Sequence, residues 1–327
     1  MRITAQLIDA LTGTHLWADR FDGSLEDVFE LQDKVAVSVA GVIERPLQAA
    51  EARRSAERPT GDLTAYDLYL RAFAPPPDRD GLIQKLDLLG QAIERDPHYA
   101  SALVWAAVCR TSLELSGWTN DAVASRREAL DLVRRALRIA PDDPVVVADA
   151  AYVLGYYGED ISAAMALIDR ALELNPSFAD GWRNSGWLRL WAGQPDLGIE
   201  HIRTAIRLSP RASLANSFLG IGVGHFFARR FEDAKAMLLL SLQELPSYVP
   251  TNHFLASCYA QMGRLEEARE IVERLHALTP VVVPIAAHWR NPEHRELKAC
   301  AWRPVKRHDA HSPSRRNPLR RCSDLPD

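Results

Sequence analysis

The chain has 327 residues, 47% of them hydrophobic and 25% charged, with a net charge of −4. These values describe a folded protein of two ordinary domains, or one solenoid with an attachment. No apolar run approaches the ~20 residues of a spanning helix, and four scattered cysteines without a CxxC pair suggest neither a zinc site nor a disulfide framework. The charge is uneven. Residues 299–327 hold seven Lys/Arg against three Asp, a net of +4, which leaves −8 on residues 1–298. That acidic body argues against a nucleic-acid surface along it.

In chain order, "RITAQLID" alternates Ile3, Ala5 and Leu7 with Thr4 and Gln6, and "HLWADRF" follows the turn signal Thr12-Gly13. Residues 1–23 therefore predict a β-hairpin. A hairpin alone is marginal in water, so the N-terminus is expected to be the truncated edge of a longer parent. Its open edge offers a route to self-association. The start "MRITAQLIDA" has no signal-peptide core with a cleavage site, so a cytoplasmic location is expected. Ser24 then caps a helix carrying Leu25, Val28, Phe29, Leu31, Val35 and Val39 at helical spacing. Residues 45–62 read as a charged, alanine-rich linker.

From Leu63 onward the sequence repeats. Pro97, Pro141, Pro176, Pro210, Pro246 and Pro280 stand 44, 35, 34, 36 and 34 residues apart, and an alanine lies five residues before the first four. A period near 34 marks tandem helix–turn–helix units. Each pair has an apolar face it cannot bury alone, so neighbours stack, and proline stops each second helix. A degenerate first unit is split by Pro75-Pro76-Pro77. Pairs are then expected at 100–140, 144–175, 179–209, 213–245 and 249–279. The ten extra residues of the first interval are assigned to a loop near "SGWTNDAVAS".

The unit 179–212 has Trp182, Gly186, Gly193, Gly198, Ala205 and Pro210 at the offsets of a tetratricopeptide repeat, and 249–282 follows through Tyr259, Gly263, Ala268 and Pro280. Residues 63–282 thus resemble that family. The resemblance implies an all-α, right-handed superhelical solenoid of antiparallel helix pairs, about six units long, preceded by the short hairpin plus helix. The opening "RITAQLIDALTGTHLWADRFDGSLEDVFELQDKVA" looks like the end of a TolB-like domain, giving a first region at 1–44. In bacterial signalling proteins of that kind, the upstream module is a class III adenylate/guanylate cyclase or a winged-helix domain. No segment here resembles a cyclase core with its two metal-binding aspartates, so no catalytic residue, cofactor or metal is expected. "HWRNPEHREL" looks like the end of the same group, a cap at 283–297. From 298 to 327 the helical pattern is lost, which predicts either a basic disordered tail or a shifted reading frame.

By the resemblance, positions 2, 5, 6, 9, 12 and 13 of each first helix face the concave groove. Tyr152 with Tyr156 and Trp187 with Trp191, each spaced i and i+4, would pair on that face. Arg183 and Asn184 lie beside them, and His225 and His253 come from later units. Flat aromatics make good binding anchors, so these eight residues are the candidate groove for a protein or peptide segment. The alternative is that the rings only fill gaps between pairs. Recognition of a C-terminal carboxylate is disfavoured, because the equivalent positions elsewhere hold Val145, Ala148, Ser217 and Phe218.

Three further features read as structure. Cys109 and Cys258 share the tenth position of their first helices and should be packed hydrophobes. Gly220, Gly222 and Gly224 fall within a first helix and suggest either close helix packing or local weakness. The histidines at 288, 294, 308 and 311 lack a third ligand for a metal.

Overall fold

Aspartate opens and glycine closes many helices of this chain. The computed structural model describes residues 2–8, 13, 15–22, 64–158, 160–210, 212–281 and 287–306. The expected helix from Ser24, the linker and the residues after 306 lie outside these. Strands β1 (Arg2–Ile8) and β2 (His15–Asp22) pair antiparallel, with Arg2 opposite Asp22. Ile3, Ala5 and Leu7 are the half-buried residues of β1, as alternation requires.

Six helix pairs follow: α1 (Ala65–Arg71) with α2 (Arg79–Arg95), α3 (Ala100–Leu115) with α4 (Ala122–Ile139), α5 (Pro144–Tyr157) with α6 (Ile161–Leu174), α7 (Ala179–Ala192) with α8 (Pro195–Leu208), α9 (Leu214–Phe227) with α10 (Phe231–Glu244), and α11 (Val249–Gln261) with α12 (Leu265–Leu278). A last helix, α13, spans Pro292–Lys306. The array is a tetratricopeptide-type solenoid. Asp78, Asp121, Asp143 and Asp160 each accept a hydrogen bond from a first-turn backbone N–H, satisfying donors the helix cannot. The turns inside the pairs need left-handed backbone. Gly158, Gly193 and Gly263 supply it at φ of 85°, 90° and 76°, and Arg229 holds the equivalent place at 58° without glycine's freedom.

Packing follows the repeat. Ala92, Ala136, Ala171, Ala205, Ser241 and Leu275, one per second helix, are all buried. Gly186 lets α7 and α8 touch: a Cβ there would come within 2.4 Å of Ile202 and 2.8 Å of the Gly198 carbonyl oxygen. Gly220 and Gly224 likewise lie against Ile202 and Ile199, and Gly222 against Leu238. The glycine run therefore serves close helix approach. Cys109 and Cys258 are buried, and burial pushes their thiols up to about 11 and about 12, so they pack as inert hydrophobes.

Two expectations need correction. The extra residues of the second pair are not all in the loop: α3 and α4 run 16 and 18 residues, against 14 for each helix from α5 to α10. Nor does the helical pattern stop at Leu297. α13 continues to Lys306, with Lys298, Ala301 and Trp302 buried against the array.

The solenoid closes on itself. Trp118 Nε1 donates to the Leu278 carbonyl at 2.9 Å, and Thr279 Oγ1 to the Ser116 carbonyl at 2.7 Å. The α3–α4 loop thereby meets the end of α12. Among the described residues no helix is long and apolar enough to cross a membrane.

Candidate functional site

The candidate residues come from the first helices of successive pairs. Tyr152 and Tyr156 lie one turn apart on α5, and Trp187 and Trp191 on α7. Their rings form one cluster, with Tyr152–Trp191 centroids 5.1 Å apart, Tyr156–Trp191 5.9 Å and Trp187–Trp191 6.1 Å. Trp187 Nε1 donates to Asn216 Oδ1 at 2.9 Å, and Asn216 Nδ2 donates to the Tyr248 hydroxyl at 3.0 Å. The indole thus gains an acceptor while its apolar face stays packed.

This face is covered. His288 stacks on Tyr156 at 5.0 Å, Trp289 packs on Phe227 at 4.5 Å, and His294 stacks on Phe227 at 4.2 Å. Farther along, Trp302 meets His253 edge-on at 6.0 Å. The crossing exploits helix ends, whose last carbonyls have no partner inside the helix and carry partial negative charge. Arg290 donates its backbone N–H to the Trp191 carbonyl at 2.9 Å and its guanidinium to the Gly155 carbonyl at 2.8 Å. Gln261 reaches the Leu297 carbonyl at 3.1 Å. Residues 287–306 therefore lie across the C-terminal ends of α5, α7, α9 and α11. Tyr156, Trp187 and Trp191 are left at most 7% exposed.

Of the eight candidates, Tyr152, Tyr156, Trp187, Trp191 and His253 line one cavity of about 50 Å³. Arg183 is committed elsewhere. It pairs with Asp180 at 2.5 Å; burial disfavours its charge, but Asp180 more than offsets this and raises its pKa. Asn184 donates to Asp149 Oδ1 at 2.8 Å. Asp149 is buried, and desolvation, with the Asp180 charge adding to it, pushes its carboxyl up to about 7. His225 is not brought to this cluster: its Nδ1 accepts from Arg230 Nε at 2.9 Å, beside Asp196 and Arg203. Arg183, expected beside the aromatic pairs as a groove residue, is thus held in an internal ion pair.

Sequence reasoning missed Asn216, Tyr248, Phe254, Trp289 and Lys298, which complete the cavity wall. Tyr248 was findable, since Tyr99, Phe178 and Tyr248 follow the repeat prolines at the same offset of two. Lys298 carried no such signal. Burial alone lowers its pKa to about 7, and its ammonium sits 4.3 Å from the Phe254 ring and 5.5 Å from that of Trp289. Burial, with the Lys298 and Arg290 charges adding to it, holds His288 well below the usual histidine range, and burial also lowers His294. Among the described residues no group of three His, Cys, Asp or Glu could hold a metal ion.

Comparison with known proteins agrees with this architecture. A family model for the tetratricopeptide repeat matches residues 228–281. The chain is 31% identical over 146 residues to a Rhizobium meliloti (strain 1021) protein named "Putative adenylate cyclase 3". The match covers 44% of this chain and spans only a quarter of that relative's length. Human IFIT1, solved as a dimer with m7Gppp-AAAA, is 16% identical and superposes with a TM-score of 0.55, over 67% of this chain and 52% of its own. That likeness is one of fold alone.

Proposed function

We propose that the chain is a docking module whose inner face holds a polypeptide segment on Tyr152, Tyr156, Trp187, Trp191 and His253. One observation carries the reading: the chain's own residues 287–302 already lie there, held by ring stacking and by hydrogen bonds to helix-end carbonyls. A face that accepts this segment has the chemistry to accept another with aromatic and basic residues. A partner segment would compete with the resident one.

The test uses the full chain carrying His288→Ala and Trp289→Ala, checked for helix content by circular dichroism. A labelled peptide of residues 287–306 is titrated in and followed by anisotropy. Saturable binding that disappears when Trp187→Ala and Trp191→Ala are added supports the docking reading. Absence of binding, or binding indifferent to the two tryptophans, removes it.

The wider setting belongs to the same proposal. The module serves as the regulatory part of a cytoplasmic bacterial signalling protein, with residues 1–44 as the edge of a TolB-like domain. The relative named as an adenylate cyclase favours a cyclase as the catalytic partner domain; a winged-helix regulator is the alternative. The chain itself is proposed to be non-catalytic, so purified 1–327 with ATP and Mn²⁺ should form no cyclic nucleotide, and turnover would refute this. Nucleic acid is not the expected ligand of an array whose body carries net negative charge. Pairing through the β1–β2 edge is the proposed route to self-association, read by light scattering before and after Ala5→Pro.

A further inference from the structure

The cavity beneath the covering segment has an unusual electrical character. Among the described residues its lining includes Lys298, His253 and His288 but no carboxylate. Lys298 is 4% exposed and, among the described residues, no acid acts on it; its ammonium has only the faces of Phe254 and Trp289. Ring faces attract a cation but replace only part of its lost hydration. Also in the lining, the Tyr248 hydroxyl accepts from Asn216 and retains its own proton to donate. The cavity therefore offers donors at Lys298 and Tyr248, has no acid among the described residues of its lining, and is walled by aromatic rings. At about 50 Å³ it has room for roughly four water-sized atoms.

We infer that this cavity is a binding site for a small aliphatic monocarboxylate, of acetate to propionate size, with Lys298 as the counter-ion and Tyr248 as a second donor. The carboxylate would form a charge-assisted pair with the lysine, the stronger class of hydrogen bond. Its methyl or ethyl group would rest against Trp187 and Trp191. The cation comes from α13 and not from the repeats, so the site exists only while the covering segment is docked. It does not rest on the docking reading: a small acid would be held whether or not the face also takes a foreign segment.

The experiment titrates the full chain at pH 8 and constant ionic strength with sodium acetate, sodium propionate and acetamide. Calorimetry is run in two buffers of different ionisation enthalpy. The expected result is saturable binding of the two carboxylates with uptake of a fraction of a proton, since Lys298 must charge to pair with them. Acetamide should not bind. Lys298→Met keeps the stem volume and should weaken carboxylate binding by about tenfold or more, the equivalent of one lost charge-assisted bond. Equal binding of acetamide, binding without proton uptake, unchanged affinity in Lys298→Met, or no saturable heat with either acid would each overturn the assignment.

Discussion

The paired helices from α3 to α12 and the covering segment 287–306 bury similar aromatic residues, yet they obey different rules. Inside the pairs, small residues recur at crossing points, first-turn N–H groups are served by aspartate caps, and Gly186 and Gly198 bring helices into backbone contact. The covering segment instead buries three bases, His288, His294 and Lys298, against rings, and among the described residues only His294, beside Glu293, has an acid acting on it. The repeats are locally consistent in the sense that lets a chain fold without competing minima. The segment is held by large apolar contacts that must outweigh the cost of three buried bases.

The largest effect is expected at Trp289, 1% exposed between Phe227 and Phe254. Trp289→Ala should cost ~3–5 kcal/mol in denaturant unfolding and speed amide exchange in 287–306 ahead of α5–α8. Uniform loss of protection over both regions would mean that the segment and the array form one cooperative unit.

Lys298→Met sharpens the contrast through pH. The folded-state lysine titrates near 7, against an ordinary value of 10.5. Between those values the unfolded chain binds the extra proton, so stability climbs with pH; below about 7 both states are charged and the burial penalty is complete. The melting temperature of the native chain should therefore rise from pH 7 to 10. Lys298→Met should melt higher at pH 7 and lack that rise, and identical slopes would refute the account.

Within the array, Gly186→Val should destabilise by ~1–3 kcal/mol, because the added atoms meet the Gly198 carbonyl, which cannot step aside. The same exchange at Gly90, with nothing within 4 Å of a built Cβ, should cost only the helix preference of valine over glycine, near zero. One modest effect is a gain. Arg229→Gly relieves left-handed strain at φ of 58° and should add up to ~1 kcal/mol by thermal melting.

Much of this was legible in the residues themselves. The proline interval and the recurring alanine fix helix pairs that begin and end where the structure has them, because helix capping, proline exclusion and 3.6-residue periodicity act over a few neighbouring positions. The clustering of Tyr152, Tyr156, Trp187 and Trp191 was legible for the same reason, as i, i+4 spacing and repeat register are both local arithmetic. Tertiary structure alone decided what lies on that cluster. His288 reaches Tyr156 across more than a hundred residues, Trp289 and Lys298 join it from the same segment, and whether Arg183 points outward or pairs with Asp180 depends on the burial of both. Closure of Trp118 onto Leu278 sums small rotations from every pair between them. No single stretch of sequence carries that sum, so the aromatic cluster acquires its covering segment, its cavity and its buried lysine only when the whole array is built.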